Sequence, residues 1–211
     1  MSDLSIRFSK LNLNTSLNHT LLKIGIVLIF VVTILFTPSI SNSGQTRGEV
    51  YNFHFTSIDG IDMPMKLFKN KVILVVNTAS KCGYTSQYDQ LQEVWDAYKE
   101  QGLVIIGVPS NDFFQEPGDE TKIKNFCELN FNINFPMTSK VSVVGKNAHE
   151  FYKWAHKSLG AAKAPKWNFH KYLLSHNGDL VSSFSSSVSP KNSELEQAIV
   201  RELAKIDSQT M

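Results

Sequence analysis

Residues 72–91 read VILVVNTASKCGYTSQYDQL. The opening VILVV is apolar and mostly β-branched, with no polar alternation. That pattern predicts a strand covered on both faces. Downstream, Tyr88, Leu91, Val94, Trp95 and Tyr98 recur at helical spacing, and Gly102 follows as a stop signal. Between strand and helix lies a polar loop holding Cys82, one of two cysteines in the chain. Thr85 stands three places on, where a CxxC pair would carry its second thiol.

Outward from this unit the pattern repeats. LVIIGVP at 103–109 reads as a second buried strand, and 119–129 as a helix. KVSVVG at 140–145 reads as a short strand, and HEFYKWAHKSL at 149–159 as a helix. His149 and His156 on that charged helix are expected to face solvent. Two hairpins are predicted, around Asp59-Gly60 and around Asn177-Gly178, and an amphipathic helix closes the chain. Strands alternating with helices, then an antiparallel hairpin, imply an α/β domain with a mixed central sheet flanked by helices. A strand-loop-helix unit with cysteine at its turn is the thioredoxin-like arrangement.

With 211 residues there is room for one ordinary domain and an appendage. Hydrophobic residues make up 42% and charged residues 19%, which suits a packed core. A net charge of +2 with no basic block argues against nucleic acid as partner. The six histidines show no metal-ligand spacing. The appendage is N-terminal. Residues 24–36, IGIVLIFVVTILF, lack any charge, with Arg7, Lys10 and Lys23 upstream and the small, polar TPSISNSG downstream. This is an export pattern, and both a cleaved signal and an uncleaved anchor fit it. The expected division is a basic leader at 1–20, a hydrophobic segment at 21–37, a linker at 38–48 and a folded domain at 49–208. The domain would then work on the outer side of the cytoplasmic membrane, with possible attachment through residues 21–37.

At a helix start, unpaired N–H groups favour negative charge on the preceding loop, and Lys81 adds a cation. Cys82 is therefore placed to react as a thiolate. Lacking a CxxC partner, it suits attack on another acceptor first. A peroxide O–O bond is one such acceptor, and the product is a sulfenic acid that a distant thiol can resolve.

NTASKCGYT at 77–85, NDFFQEPG at 111–118, FCELNFNINFP at 126–136 and WNFHKYL at 167–173, in this order, resemble the glutathione peroxidase family. The resemblance spans roughly residues 50–206. It implies a thioredoxin-like peroxidase of hydrogen peroxide and organic or lipid hydroperoxides. Cys82 would be the peroxidatic residue, with Gln115, Trp167 and Asn168 completing a catalytic tetrad. Three neutral N–H donors can stabilise a thiolate and hold peroxide oxygens. The resemblance also implies that Cys127 is the resolving cysteine, that no cofactor is bound, and that a thioredoxin-like protein or glutathione is the reducing co-substrate. Because tetrameric members of that family carry a longer insertion at this place, the resemblance, with the short link SLGAAKAPKWNF at 158–169, also implies a monomer or a dimer. The same sulfenic acid would also serve a peroxide sensor that passes oxidation to a partner protein. The chain departs from the family pattern at Ser110, a common cysteine, and at Asp112, a common glutamine. Its loop is one residue shorter, and Asp112 is expected to place a carboxylate near the thiol.

Overall fold

Two seven-residue strands, β3 (Val72–Thr78) and β4 (Leu103–Pro109), are buried at every position, as their uninterrupted apolar sequences require. They pair in parallel from Val72–Leu103 to Thr78–Pro109. The computed structural model describes residues 48–207. The leader, the hydrophobic segment and all of the linker but Gly48 lie outside them. No helix among the described residues is long and apolar enough to cross a membrane.

In chain order the elements are β1 (His54–Thr56), β2 (Asp62–Pro64), β3, α1 (Gln87–Tyr98), β4, α2 (Glu120–Phe131), α3 (Glu150–Leu159), β5 (Lys171–Leu174), β6 (Leu180–Phe184) and α4 (Glu194–Asp207). β1 and β2 form a separate antiparallel hairpin, and the main sheet has the order β4-β3-β5-β6. β5 runs antiparallel to β3, and β6 to β5. The sheet is therefore mixed and the fold thioredoxin-like, as expected.

Side chains alternate along β3, so Val72, Leu74 and Val76 pack on one face and Ile73 and Val75 on the other. The first face is covered by Tyr88, Leu91 and Val94 of α1, Ile123 and Cys127 of α2, and Leu195, Ile199 and Leu203 of α4. The second is covered by Phe151, Tyr152, Trp154 and Ala155 of α3, with Phe55 and Met63 of the small hairpin. The result is three layers with β3 buried on both faces, so the chain leaving β3 emerges from the core.

One expected element is absent. Residues 140–145 form no strand. The N–H groups of Val143 and Val144 donate to the Asp112 carboxylate at 2.6 and 3.0 Å, so they are not available to a sheet. The edge of β4 is met earlier, where Gly107 N–H donates to Pro136 and Thr138 N–H donates back to Gly107. A Cβ on Gly107 would lie 2.2 Å from the Met137 sulfur, so this approach needs glycine. His149 is also corrected. It is the N-cap of α3, its Nδ1 accepting from Phe151 N–H, and its ring stacks on Phe55 at 4.1 Å. His156 is exposed, as expected.

Candidate active site

β3 ends at Thr78, and Ala79, Ser80 and Lys81 lead to Cys82, which is buried. Four residues of turn follow before α1 opens at Gln87. Thr85 N–H donates to the Cys82 carbonyl at 3.1 Å, and Tyr84 N–H approaches the Cys82 sulfur at 3.5 Å. The start of α1 is fixed from below by Lys171, fully buried on β5. Its Nζ donates to Gln87 Oε1 and to the Val188 carbonyl at 2.6 Å each. Among the described residues no carboxylate joins them, and burial lowers the Lys171 ammonium to about 7.

Three loops meet here. Lys81 N–H donates to the Gln115 carbonyl at 3.0 Å, tying the Cys82 loop to the loop after β4. Asn168 Nδ2 donates to Gln115 Oε1 at 2.9 Å. That bond orients the Gln115 amide, leaving its NH2 group with no partner among the described residues. Asn168 is fully buried, whereas Trp167 is 41% exposed and tilts against Phe113 at 5.5 Å. Among the sequence-derived residues, Gln115 is thus joined to Asn168 and to Lys81, the neighbour of Cys82, while the Trp167 ring packs on Phe113.

Sequence reasoning missed the residue that makes this possible. Asn77, buried on β3, donates through Nδ2 to the Trp167 carbonyl at 3.1 Å. Its Oδ1 accepts from His170 N–H at 3.0 Å, and its carbonyl accepts from Phe169 N–H at 2.6 Å. A side-chain amide at the end of a wholly apolar strand was the available signal, because a buried polar group has to find partners. Phe169 takes a left-handed φ of 62° within this clamp.

Asp112 is engaged by residues 142–144. Its carboxylate turns to Ser142 Oγ at 2.9 Å and to the two valine N–H groups already named. Phe114 in the same loop is 90% exposed at φ 59°, beside Gln115.

Cys127 lies on α2, buried in the same cluster as Cys82, and both thiols are free. Burial pushes the Cys127 thiol up to about 11; the Tyr88 hydroxyl opposes this, and the charges of Glu116 and Glu128 add to it. In an unfolded chain a cysteine titrates near ~8.5. A raised folded value means that Cys127 stabilises the fold below the unfolded value and loses that contribution as pH rises toward 11. Denaturant unfolding at pH 7 and pH 10 checks this. The unmodified chain should lose about 1–2 kcal/mol more between those pH values than Cys127→Ser. Equal losses would contradict a buried Cys127 thiol.

Among the described residues no group of three or more His, Cys, Asp or Glu side chains could hold a metal ion.

Residues 50–156 match the family model for glutathione peroxidase. The chain is 47% identical to the glutathione peroxidase homolog BsaA of Bacillus subtilis, over 72% of this chain and 96% of that protein. It is 45% identical to glutathione peroxidase-like peroxiredoxin 2 of Saccharomyces cerevisiae, over 65% of this chain and 86% of that protein. The solved structure titled Trgpx in apo form superposes with a TM-score of 0.60 at 30% identity, over 74% of this chain and 95% of that one. This chain belongs to the glutathione peroxidase family and is a peroxidase, an oxidoreductase that acts on hydroperoxides.

Proposed function

We propose that Cys82 is the peroxidatic residue, that Gln115, Trp167 and Asn168 are its hydrogen-bond donors, and that Cys127 resolves the oxidised enzyme. The observation that carries this reading is the Asn168–Gln115 bond at 2.9 Å. It occupies the oxygen of the Gln115 amide and leaves its NH2 group free of any partner among the described residues. Donors preset where charge develops are worth most in a site sheltered from water.

In the first step the Cys82 thiolate attacks one oxygen of the hydroperoxide. An S–O bond forms and the O–O bond breaks. Cys82 leaves as sulfenic acid, and the departing alkoxide or hydroxide takes a proton from water. In the second step the Cys127 sulfur attacks the sulfenic sulfur. A disulfide forms and water is released. A dithiol protein then exchanges with that disulfide, becomes oxidised itself and returns both thiols.

Recycling an internal disulfide favours a thioredoxin-type donor over glutathione. NADPH consumption with cumene hydroperoxide, coupled either to thioredoxin and its reductase or to glutathione and its reductase, tests this. The thioredoxin-coupled rate should be higher by about tenfold or more. A glutathione-coupled rate equal to it would contradict the two-cysteine cycle.

A further inference from the structure

Glu116 follows Gln115 and takes no part in the chemistry above. Its side chain is fully buried. One oxygen, Oε2, accepts from Ser80 N–H at 2.7 Å and from Ser80 Oγ–H at 2.8 Å. Its own N–H donates to Asn111 Oδ1 at 2.9 Å, which closes the loop after β4 on itself. The other oxygen, Oε1, has no partner among the described residues. Burial pushes the carboxyl up, while Ser80 and the charges of Lys140 and Lys81 pull the other way.

Ser80 lies two residues before Cys82, and Glu116 one residue after Gln115. The bonds between these residues therefore sit on the opposite side of the Lys81–Gln115 bond from the reacting groups. With that bond they fix both the separation and the register of the two loops. A buried oxygen left unpaired is unfavourable, so mere closure of the loops would be better served by a fully paired or apolar contact. A carboxylate offers one oxygen that holds the main chain and the side chain of the same residue together.

We propose that Glu116 is the positioning residue of the Cys82 centre: by holding Ser80 through a single oxygen, it sets where the Gln115 amide stands relative to the Cys82 sulfur. This inference rests on Cys82 and Gln115 having the roles given above. It separates geometry from charge. Because both Ser80 bonds end on one oxygen, a glutamine at 116 can accept both through its amide oxygen and place its NH2 group where Oε1 now lies. Glu116 also lines a cavity of about 360 Å³, together with Lys81, Gly118 and Lys122. An alanine cannot hold Ser80 at all.

The test compares two reactions of Cys82 in the fully reduced protein. Hydrogen peroxide reads the donors that hold the breaking O–O bond, whereas iodoacetamide reads the thiolate and its access. A misplacement of about 1 Å costs on the order of 10²-fold in a positioned reaction. Glu116→Ala should therefore slow peroxide oxidation by roughly 30–100-fold and alkylation by less than about threefold. Glu116→Gln should restore the peroxide rate to within about fivefold of the unmodified protein. If Glu116→Ala does not fold, Ser80→Ala, which removes one of the two donors, should slow peroxide oxidation about fivefold with alkylation unchanged. Parallel loss of both reactions in the alanine variant would overturn the inference in favour of general loosening. So would an unchanged peroxide rate in whichever alanine variant folds, or a glutamine variant as slow as the alanine one. Slow peroxide oxidation of the unmodified protein is a different failure, because it removes the assigned role of Cys82 itself.

Discussion

Cys82→Ser loses peroxide reduction to the level of the uncatalysed background, a fall of about 10³-fold or more. A serine hydroxyl does not accept an oxygen atom to give a stable acid, so no donor arrangement around it restores the step. The fold should survive. Cys82 is a small buried residue at the edge of the core, and the bonds that assemble the site, Lys81 to Gln115, Asn168 to Gln115 and Asn77 to Trp167, do not use its sulfur. Thermal unfolding should show a shift of only a few degrees, corresponding to about 1 kcal/mol. Peroxide consumption by folded Cys82→Ser at a rate near that of the unmodified enzyme would place the chemistry elsewhere.

Cys127→Ser divides the cycle. Peroxide should oxidise Cys82 in this variant at nearly the normal rate, within about threefold, because Cys127 is not among the groups around the Gln115 amide. Thioredoxin-coupled steady turnover should fall about 10²-fold, and sulfenic acid should accumulate, passing to sulfinic acid under excess peroxide. The reason is structural. A disulfide needs Cα atoms ~4.4–6.8 Å apart, and Cys127 is held in a helix with its thiol in the core. In the cycle proposed here helix α2 opens for resolution. It buries only Ile123 and Cys127 of its twelve residues, whereas α1 buries five. Few buried contacts make local opening less costly. Its ends are well defined, by the Asp119 side chain accepting from Lys122 N–H and by Asn132 in the left-handed conformation. The opening therefore starts from weak packing, not from frayed ends. Full thioredoxin-coupled turnover in Cys127→Ser would show that another thiol resolves Cys82.

The parts of this fold that bury both faces were the most legible. VILVV and LVIIGVP carry an unbroken apolar signal because helices cover the sheet on either side. The four helices follow from the spacing of their buried residues. Residues 140–145 were misleading because alternating valines signal strand propensity, while the outcome depended on a carboxylate 31 positions before Val143 in the chain. His149 was misleading for a related reason: helical spacing describes the body of a helix and says nothing of a cap. At the site, Cys82, Gln115, Trp167 and Asn168 were legible as motifs. What holds them was less so. Asn77 and Glu116 act by pairing with segments distant in sequence, and such pairings leave only the mark of a polar residue where burial is expected.

The most direct test of Cys82 as peroxidatic residue uses the fully reduced protein and one equivalent of hydrogen peroxide, followed by intact mass and peptide mapping. The cycle proposed here predicts rapid loss of both thiols and a Cys82–Cys127 linked peptide, with a net loss of about 2 Da and no retained oxygen. Unreacted Cys82, or oxygen first found on Cys127, would contradict it.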